Sequence, residues 1–333
     1  MSGRFMGVDL HKKYCVFTEL DSRGNIIRRG KFSNNLGEIA DFASTLSPNT
    51  KLTVEPVLNY LWFLDQVKPY VKSVHPAHPQ KVRIIAEAKN KTDKYDSHML
   101  AELLRTNFLP ESYYVPEDIR RLRDLIRQRG HLVGTVVAFK CRIRHLLSLN
   151  GSSVTAADIS SPKALKQLKT LCLADTVRNA INQCLDIIRQ LDKQIEELES
   201  ELVKYCPDNK AIELLDTIPG IGRLRALIIY AEIGDIDRFK SKRAFCSYTG
   251  LVPIVRESGE KRYTGSITKM GSRALRTVLI EAAINASIKS GHLRRLYKRL
   301  EYRGNKYKAR TAVAHRLAVI IYVMLKTSEP FRC

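Results

Sequence analysis

Two aspartates three positions apart, Asp93 and Asp96, open a predicted helix in the segment NKTDKYDSHMLAELL of a chain that is strongly basic elsewhere. Side chains with this spacing lie on one face of a helix, so the two carboxylates can act together. A local role is the alternative, since Thr92 or Asp93 can cap the first turn and Asp96 suits the positive end of the helix dipole. This segment alone leaves both interpretations open.

Two further carboxylates stand at the ends of predicted strands. Asp9 follows the first apolar strand in MGVDLHKK, and Glu55 ends the strand LTVE directly before Pro56. Carboxylates at strand ends in an open sheet commonly point into the crevice where ligands bind. Taken singly, Asp9 also suits a turn and Glu55 a solvated strand terminus.

The four carboxylates together indicate a metal site. Carboxylates at close quarters repel one another, and a divalent cation is the economical explanation for such a group. Oxygen-rich sites favour Mg²⁺, with Mn²⁺ as the alternative, and two ions about 4 Å apart can hold the attacking and leaving oxygens of a phosphoryl transfer. We therefore expect a Mg²⁺ or Mn²⁺ site if the fold brings these residues together.

The elements that must position these residues follow an α/β pattern. RFMGVDL, YCVFTEL and IIRRGKFS read as strands of an antiparallel meander, and helices alternate with strands after them. This order predicts an N-terminal mixed sheet flanked by helices. We place this α/β domain at residues 1–110.

The rest of the chain reads as helical. Residues 116–149 predict one long helix opened by Pro116, and apolar residues from Val177 to Leu202 step by three and four as a heptad seam. The seam can pack on the long helix of the same chain or pair two protomers, and the sequence leaves this open. We expect a helical linker with a coiled coil at 111–209 and a mainly α-helical domain at 210–333.

The charge of the chain points to a polyanionic partner. The 56 Lys and Arg against 34 Asp and Glu give a formal net charge of +22, which favours nucleic acid. A membrane partner is disfavoured because no uncharged run reaches the roughly 18 residues needed to span a bilayer. The N-terminus lacks the apolar core of a signal peptide, so we expect a cytoplasmic, nucleoid-associated protein. Seven scattered cysteines read as reduced, and no zinc-ligand spacing is present.

Several basic and glycine residues are candidates for nucleic-acid contact. The turn IPGIG before a helix can present backbone N–H groups to a phosphate, or its glycines can simply form a turn. The basic stretch from Arg238 to Arg276 carries Tyr248 and Tyr263, which suits phosphate contact with base stacking. A solvated helix face is the alternative for the arginines of the long helix. The candidates are Arg120, Arg123, Arg127, Gly220, Gly222, Arg256, Lys261, Arg262, Lys269, Arg273 and Arg276.

The acidic residues carry a resemblance to a known family. Asp9 in the first strand of the meander, Glu55 ending the fourth strand, and the T-D-x-x-D of KTDKYDSHMLAELL resemble the RNase H-like, RuvC-like DEDD domain of insertion-sequence transposases. These are bridge-RNA-guided serine recombinases with relatives among DNA invertases, and the resemblance covers essentially the whole chain. It implies that Asp9, Glu55, Asp93 and Asp96 form a metal-binding tetrad. One departure follows the glutamate, where the family often has Glu-Ala/Ser-Thr-Gly and this chain has EPVLNY.

The same resemblance singles out a serine. GLVP, ESG, EKR and ITKMGSRALR occur in the family's order, and the match implies that Ser258 is the catalytic nucleophile. From the residues alone, Ser258 is an ordinary turn residue, and no histidine lies near it in sequence to act as a base.

The resemblance implies a site-specific DNA recombinase. It would cleave and rejoin DNA through a 5′-phosphoserine intermediate, take its specificity from a structured bridge RNA and act as a homo-oligomer, dimer to tetramer. Two alternatives remain. One is a structure-specific endonuclease of the Holliday-junction resolvase type that uses only the tetrad. The other is a non-catalytic nucleic-acid-binding scaffold.

Overall fold

The chain folds into two compact units, Met1–Val115 and Pro116–Cys333. Each unit has hydrophobic clusters of its own. The predicted division of the second unit into a linker and a C-terminal domain stays a prediction. The computed structural model describes residues 3–85, 92–205, 209–258 and 261–332, with the side chains at 256, 258, 261 and 262 outside that description.

The first unit is a mixed sheet with helices. Its strands form one sheet in the order β3-β2-β1-β4-β5. The first three strands pair antiparallel, and the last two run parallel to β1, which confirms the predicted meander and mixed sheet. The described elements of this unit are β1 (Arg4–Leu10), β2 (Tyr14–Leu20), β3 (Ile26–Ser33), α1 (Leu36–Ser44), β4 (Thr50–Val54), α2 (Tyr60–Val67), β5 (Ser73–Pro76), α3 (Pro79–Ile85) and α4 (Asp93–Arg105).

Strand β1 has two different faces, as its period of two requires. Met6 and Val8 are fully buried in a core that includes Phe42 and Phe63. The alternate residues, which include Gly7 and Asp9, therefore lie on the opposite face. This alternation decides which helix Asp9 meets.

Helix α4 packs on the second face of β1 at unusually close range. A Cβ atom added to Gly7 would lie 2.1 Å from the Ser97 carbonyl oxygen and 2.5 Å from the Ala101 nitrogen. Only glycine permits this approach of helix backbone to strand backbone. Gly7 therefore sets how closely the start of α4 lies to the end of β1.

The second unit is mainly helical. Its described elements are α5 (Glu117–Leu149), α6 (Pro162–Thr170), α7 (Asp175–Val203), α8 (Lys210–Asp216), α9 (Arg223–Ile233), α10 (Lys242–Thr249), β6 (Pro253–Ser258), β7 (Lys261–Ile267), α11 (Arg273–Lys289), α12 (Gly291–Arg303) and α13 (Lys306–Thr327). The long helix starts directly after Pro116, as the sequence predicts. The strands β6 and β7 form an antiparallel pair.

The predicted heptad seam packs within the chain. Ile181, Cys184 and Ile188 of α7 are buried in one cluster with Ile143 and Leu147 from the end of α5. The end of α7 meets the beginning of α5, where Arg129 pairs with Glu199 and Leu202 joins the cluster of Leu122. The two helices therefore run antiparallel, which is the first of the two alternatives that the seam allowed.

The C-terminal part of the second unit is built on small and branched apolar residues. Leu227, Leu279, Ala283, Leu317 and Ile321, from α9, α11 and α13, are fully buried in one cluster. Alanines among them let the helices approach closely. No helix in the described part of the chain combines the length and the apolar character needed to cross a membrane.

Candidate active site

The first candidate site lies at the end of β1. Asp9 is the next-to-last residue of this strand, and its carboxylate Oδ2 lies 3.0 Å from His11 Nε2. Burial raises the pKa of the Asp9 carboxyl above its ordinary value. The nearby His11 opposes this rise of the pKa, and the carboxylates of Asp93 and Asp96 add to it. Burial is thus the largest influence on the pKa of Asp9, and the acidic neighbours contribute less.

Asp93 is brought to Asp9 by the start of α4. Asp93 is the first residue of the helix, and its Oδ1 lies 3.5 Å from the same His11 Nε2. Its other oxygen accepts a hydrogen bond from the Tyr14 hydroxyl at 3.0 Å. Asp9, His11 and Asp93 each offer a ligand atom, and these atoms all lie within 4.8 Å of one another.

The capping role that the sequence allowed belongs to Thr92. Its Oγ1 accepts the backbone N–H of Tyr95 at 3.2 Å, so Thr92 is the N-cap of α4. Asp93 is the first residue inside the helix and is not the N-cap. Both aspartates of the first turn still interact favourably with the helix dipole.

Glu55 and Asp96 meet at a neighbouring cavity. Val8 pairs with Val54 in parallel register, so Glu55 leaves the sheet beside Asp9. Glu55 and Asp96 both line a cavity of about 290 Å³ together with Arg83. In the described part of the chain, the group close enough to share one ion is Asp9, His11 and Asp93, and Glu55 and Asp96 stand outside it. The four predicted carboxylates therefore lie at one edge of the sheet, Asp9 and Asp93 in the close group and Glu55 and Asp96 at the cavity.

A buried polar contact fixes α4 beside the sheet. Ser97, next to Asp96, makes a 2.9 Å hydroxyl contact with Thr18 of β2, and both residues are fully buried. Thr18 is the register partner of Gly7. The sequence did not single out His11, Tyr14, Thr18, Ser97 and Gly7. A signal was available for Gly7, which is a small residue among the bulky apolar residues of β1.

Ser258 lies in the second unit. It is the last residue of β6, and its backbone is in register with Lys261 of β7. The side chains of Arg256, Ser258, Lys261 and Arg262 fall outside the described residues. On the same ribbon Tyr263 is 64% exposed and available for stacking, whereas Tyr248 donates its hydroxyl to the Glu232 carbonyl at 3.1 Å.

One predicted nucleic-acid contact requires correction. Arg123 is only 7% exposed, and its Nε and Nη2 donate to the carbonyls of Ala231 and Glu232 at 2.7 and 3.0 Å. These carbonyls belong to the last turn of α9 and have no partner within the helix, and a cation is favourable there. Arg123 therefore joins α5 to α9 and does not present its charge to a phosphate.

Arg276 also has a role inside the fold. Its Nη1 donates to the carbonyls of Lys269 and Thr249 at 3.1 and 3.4 Å. The Lys269 side chain itself is exposed. Arg276 thus fixes the loop that carries Lys269.

The other described basic candidates lie nearer to solvent. Arg127 and Arg273 are exposed, and Arg120 is half-buried. Arg127 and Arg273 line a cleft of about 1250 Å³ within the second unit, between α5, α9 and α11. Arg223 and Arg225, which directly follow the IPGIG turn, line it as well.

The two glycines of that turn have different surroundings. Gly220 has a φ of +94°, and an added Cβ would lie 2.8 Å from Asn285 Cβ and 2.9 Å from the Ala282 carbonyl oxygen. Gly220 is therefore required by close packing on α11. Gly222 is the N-cap of α9, an added Cβ there would meet nothing within 4 Å, and it lines the same cleft.

Comparisons with known proteins match both units. A DEDD transposase model of the IS110 type matches residues 6–150, and a model described as "Transposase IS116/IS110/IS902 family" matches residues 212–298. The IS1111A transposase of Coxiella burnetii is 28% identical over 80% of this chain and 71% of the relative. The IS1328 transposase of Yersinia enterocolitica is 26% identical over 90% of this chain and 86% of the relative.

An inverting protein is also similar. The pilin gene-inverting protein of Moraxella bovis is 28% identical over 73% of this chain and 68% of the relative. The first model covers the four carboxylates and continues to the end of α5 in the second unit, and the second model covers the candidate serine. The chain therefore belongs to the IS116/IS110/IS902 family of transposases, a family of enzymes.

Proposed function

We propose that this protein is a site-specific DNA recombinase that cleaves and rejoins DNA with a metal-binding tetrad and a serine nucleophile. The tetrad is Asp9, Glu55, Asp93 and Asp96, and the nucleophile is Ser258. The observation that carries the proposal is the approach of Asp9 and Asp93, from a strand and a helix far apart in sequence, in a chain of net charge +22. A pair of carboxylates beside a polyanionic substrate needs a cation between them.

The donor set fits a divalent ion. Two carboxylates and an imidazole nitrogen converge within 4.8 Å, with Glu55 and Asp96 at the adjoining cavity. Sheet order β3-β2-β1-β4-β5, with a meander followed by parallel strands, supports the RNase H-like assignment. When bound, Mg²⁺ or Mn²⁺ would supply charge stabilisation to the phosphate that is being cut.

The chain's own groups then have defined tasks. Asp9 and Asp93 hold the cation site at the end of β1, and Tyr14 orients Asp93 through its hydrogen bond. Ser258 Oγ attacks the scissile phosphorus, and the bond from phosphorus to the 3′ oxygen breaks as the bond to Oγ forms. The serine proton is transferred, through a base, to the departing 3′ oxygen. The phosphodiester energy stays in the 5′-phosphoserine link and is used when a 3′ hydroxyl attacks to rejoin the strand.

Binding of nucleic acid would use the exposed basic groups of the second unit. The cleft that holds Gly222, Arg127 and Arg273 combines a helix N-terminus with several guanidinium groups, a combination that suits phosphate. Lys269 and Arg120, together with Arg256, Lys261 and Arg262, extend the proposed contacts. We further propose that a structured bridge RNA specifies donor and target DNA. The protein would act as a homo-oligomer of two to four protomers. Its carboxylates and serine would come from one protomer or from two. A charge of +22 suits a protein that binds RNA as well as DNA.

A covalent adduct tests this proposal. End-labelled donor and target DNA are incubated with Mg²⁺, RNA from the native locus and the wild type, Ser258→Ala or the control Ser266→Ala, which changes an exposed serine of β7. Wild type and Ser266→Ala should give a slow, protease-sensitive band on a denaturing gel, and Ser258→Ala should give none. An adduct that survives in Ser258→Ala contradicts the serine assignment.

A structure-specific endonuclease is the second candidate function. It is favoured by the fact that the acidic cluster is complete within the first unit, without Ser258. It predicts free DNA ends and equal cutting by wild type and Ser258→Ala. A scaffold without activity predicts instead that Asp9→Asn changes no reaction and leaves binding intact.

A further inference from the structure

His11 lies between two of the tetrad carboxylates. It begins the turn from β1 to β2, where its N–H donates to the Tyr14 carbonyl at 2.9 Å and its own carbonyl accepts from Asn34 Nδ2 at 2.7 Å. Both backbone groups of His11 are therefore occupied. The turn fixes the Cα–Cβ direction of this residue and delivers the imidazole to the end of the strand that carries Asp9.

The distances around Nε2 are those of ligands that share an ion. Nε2 lies 3.0 Å from Asp9 Oδ2 and 3.5 Å from Asp93 Oδ1. Two ligand atoms at neighbouring positions of a six-coordinate ion, with bonds of about 2.1 Å, lie about 3.0 Å apart. The imidazole and the Asp9 carboxylate thus stand at the spacing of adjacent ligands, and Asp93 needs only a small adjustment.

Tyr14 holds both the imidazole and Asp93. Its ring centroid lies 4.6 Å from that of His11, and its hydroxyl donates to Asp93 Oδ2 at 3.0 Å. The hydrogen bond to Asp93 raises the pKa of the Tyr14 phenol. Lys31 Nζ lies 3.6 Å from the centroid of the same ring. The Asp93 oxygen that faces away from Tyr14 is the one nearest to His11.

We propose that His11 is a ligand of the metal centre through Nε2, beside Asp9 and Asp93, and that this nitrogen ligand makes the centre prefer Mn²⁺ to Mg²⁺. Mg²⁺ is a hard cation that takes oxygen ligands and dehydrates reluctantly. Imidazole is a ligand for transition ions, so replacing one oxygen by nitrogen shifts selectivity away from Mg²⁺. The proposal rests on the proposed function, because it adds a ligand to the tetrad site.

The competing role for His11 is a hydrogen bond. An imidazolium that bridges Asp9 and Asp93 would show the same distances without touching a metal. The two roles differ in one observable, because only a ligand places its nitrogen nucleus in direct contact with the bound ion.

Mn²⁺ spectroscopy on the full chain separates them. The experiment compares wild type with His11→Ala, His11→Gln and the control His75→Ala. Each protein is stripped of metal and titrated with Mn²⁺, alone and with Mg²⁺ as competitor. Electron spin-echo spectroscopy then detects whether a nitrogen is bound directly to Mn²⁺. His75 is a suitable control because it pairs with Glu111 in the same unit, away from the cluster. Wild type and His75→Ala should show the nitrogen signal, and both His11 variants should lose it together with about tenfold or more of their Mn²⁺ affinity. The affinity for Mg²⁺ should change much less.

The outcomes distinguish this inference from the function on which it rests. Mn²⁺ that binds wild type without a nitrogen signal, or a signal that persists in both His11 variants, overturns the role of His11 and leaves the tetrad intact. Failure of wild type to bind either ion overturns the metal site as a whole. The nitrogen signal in wild type is read without any variant, so a misfolded substitution cannot hide the answer.

Discussion

The acidic edge of the first unit and the basic helices of the second unit use charge in opposite ways. In the first unit, side chains from a strand, a turn and a helix start converge, and a close backbone contact at Gly7 and a buried pair of hydroxyls fix their spacing. In the second unit, arginines of one helix divide between packing and solvent. Arg123 and Arg127 lie one turn apart on α5, yet the first is 7% exposed and the side chain of the second is 61% exposed. The charges of the acidic edge converge on one place, whereas the charges on α5 have to be sorted by burial.

Gly7→Ala should have the largest effect, because it would push α4, which carries Asp93 and Asp96, away from β1, which carries Asp9. The added methyl group would stand 2.1 Å from the Ser97 carbonyl oxygen, so α4 must move. We expect a loss of about 3 kcal/mol or more in the free energy of unfolding, measured by urea denaturation, and weaker Mn²⁺ binding. Gly37→Ala is the control, since its new Cβ would meet Asn35 at an ordinary 3.6 Å. Equal stability of the two variants would contradict the close packing.

The matched pair on α5 gives the next largest effect. Arg123→Met removes the donor to the buried Ala231 carbonyl and should cost about 2 kcal/mol of stability. Arg127→Met should stay within about 0.5 kcal/mol in stability. It should instead weaken nucleic-acid binding and lower the salt slope by about one unit. The measurements are urea denaturation and duplex binding over a salt series. If Arg127→Met destabilises and Arg123→Met weakens binding alone, the sorting by burial is wrong.

A smaller effect is expected from the hydroxyl pair that anchors α4. Thr18→Val and Ser97→Ala each remove one member of the 2.9 Å contact. Ser97→Ala leaves the Thr18 hydroxyl buried without this partner, whereas Thr18→Val leaves Ser97 with its bond to the Lys94 carbonyl, so we expect about 1 kcal/mol of coupling in a double-mutant cycle. Additive losses would show that the pair contributes no interaction of its own.

The smallest effect belongs to a surface ion pair of the second unit. Lys140 and Ser160 hold the pKa of the Asp158 carboxyl below its ordinary value. A depressed pKa adds stability above the unfolded pKa of about 3.9, and this is lost as the pH falls through the folded value. The Asp158 side chain is 52% exposed, so screening limits the contribution to about 0.5 kcal/mol. Wild type should therefore exceed Asp158→Asn slightly at pH 7 and match it in strong acid. If the stability difference between wild type and Asp158→Asn instead grows as the pH falls, the predicted pH dependence is wrong.

The sequence predicts the backbone better than the contacts. Alternation and turn residues are local signals, and they correctly predict the meander, the mixed sheet and the long helix after Pro116. The placement of Asp9 and Glu55 at neighbouring strand ends is also predictable, because it follows from the strand pattern. Their partner His11 is not, since its closeness to Asp93 depends on how α4 lies on β1.

The arginines of α5 also show that the sequence does not predict contacts between distant elements. Arg123 and Arg127 belong to the same basic pattern, and nothing local reveals that the end of α9 meets only the first. Likewise, Gly220 reads as a turn residue, although its role also depends on Ala282 and Asn285 of α11, which are distant in sequence. Contacts between distant elements decide these roles, and periodicity does not encode them.

The most direct test of the central claim is to map the covalent adduct. Wild-type protein and Asp9→Asn are each incubated with labelled donor and target DNA, Mg²⁺ and native RNA, then digested with protease and nuclease, and the modified peptide is identified by mass spectrometry. The proposed reaction predicts a nucleotide attached to Ser258 in wild type and none in Asp9→Asn, because the carboxylates of one unit and the serine of the other serve a single reaction. A nucleotide on another residue, or cleaved DNA without any adduct, would contradict it.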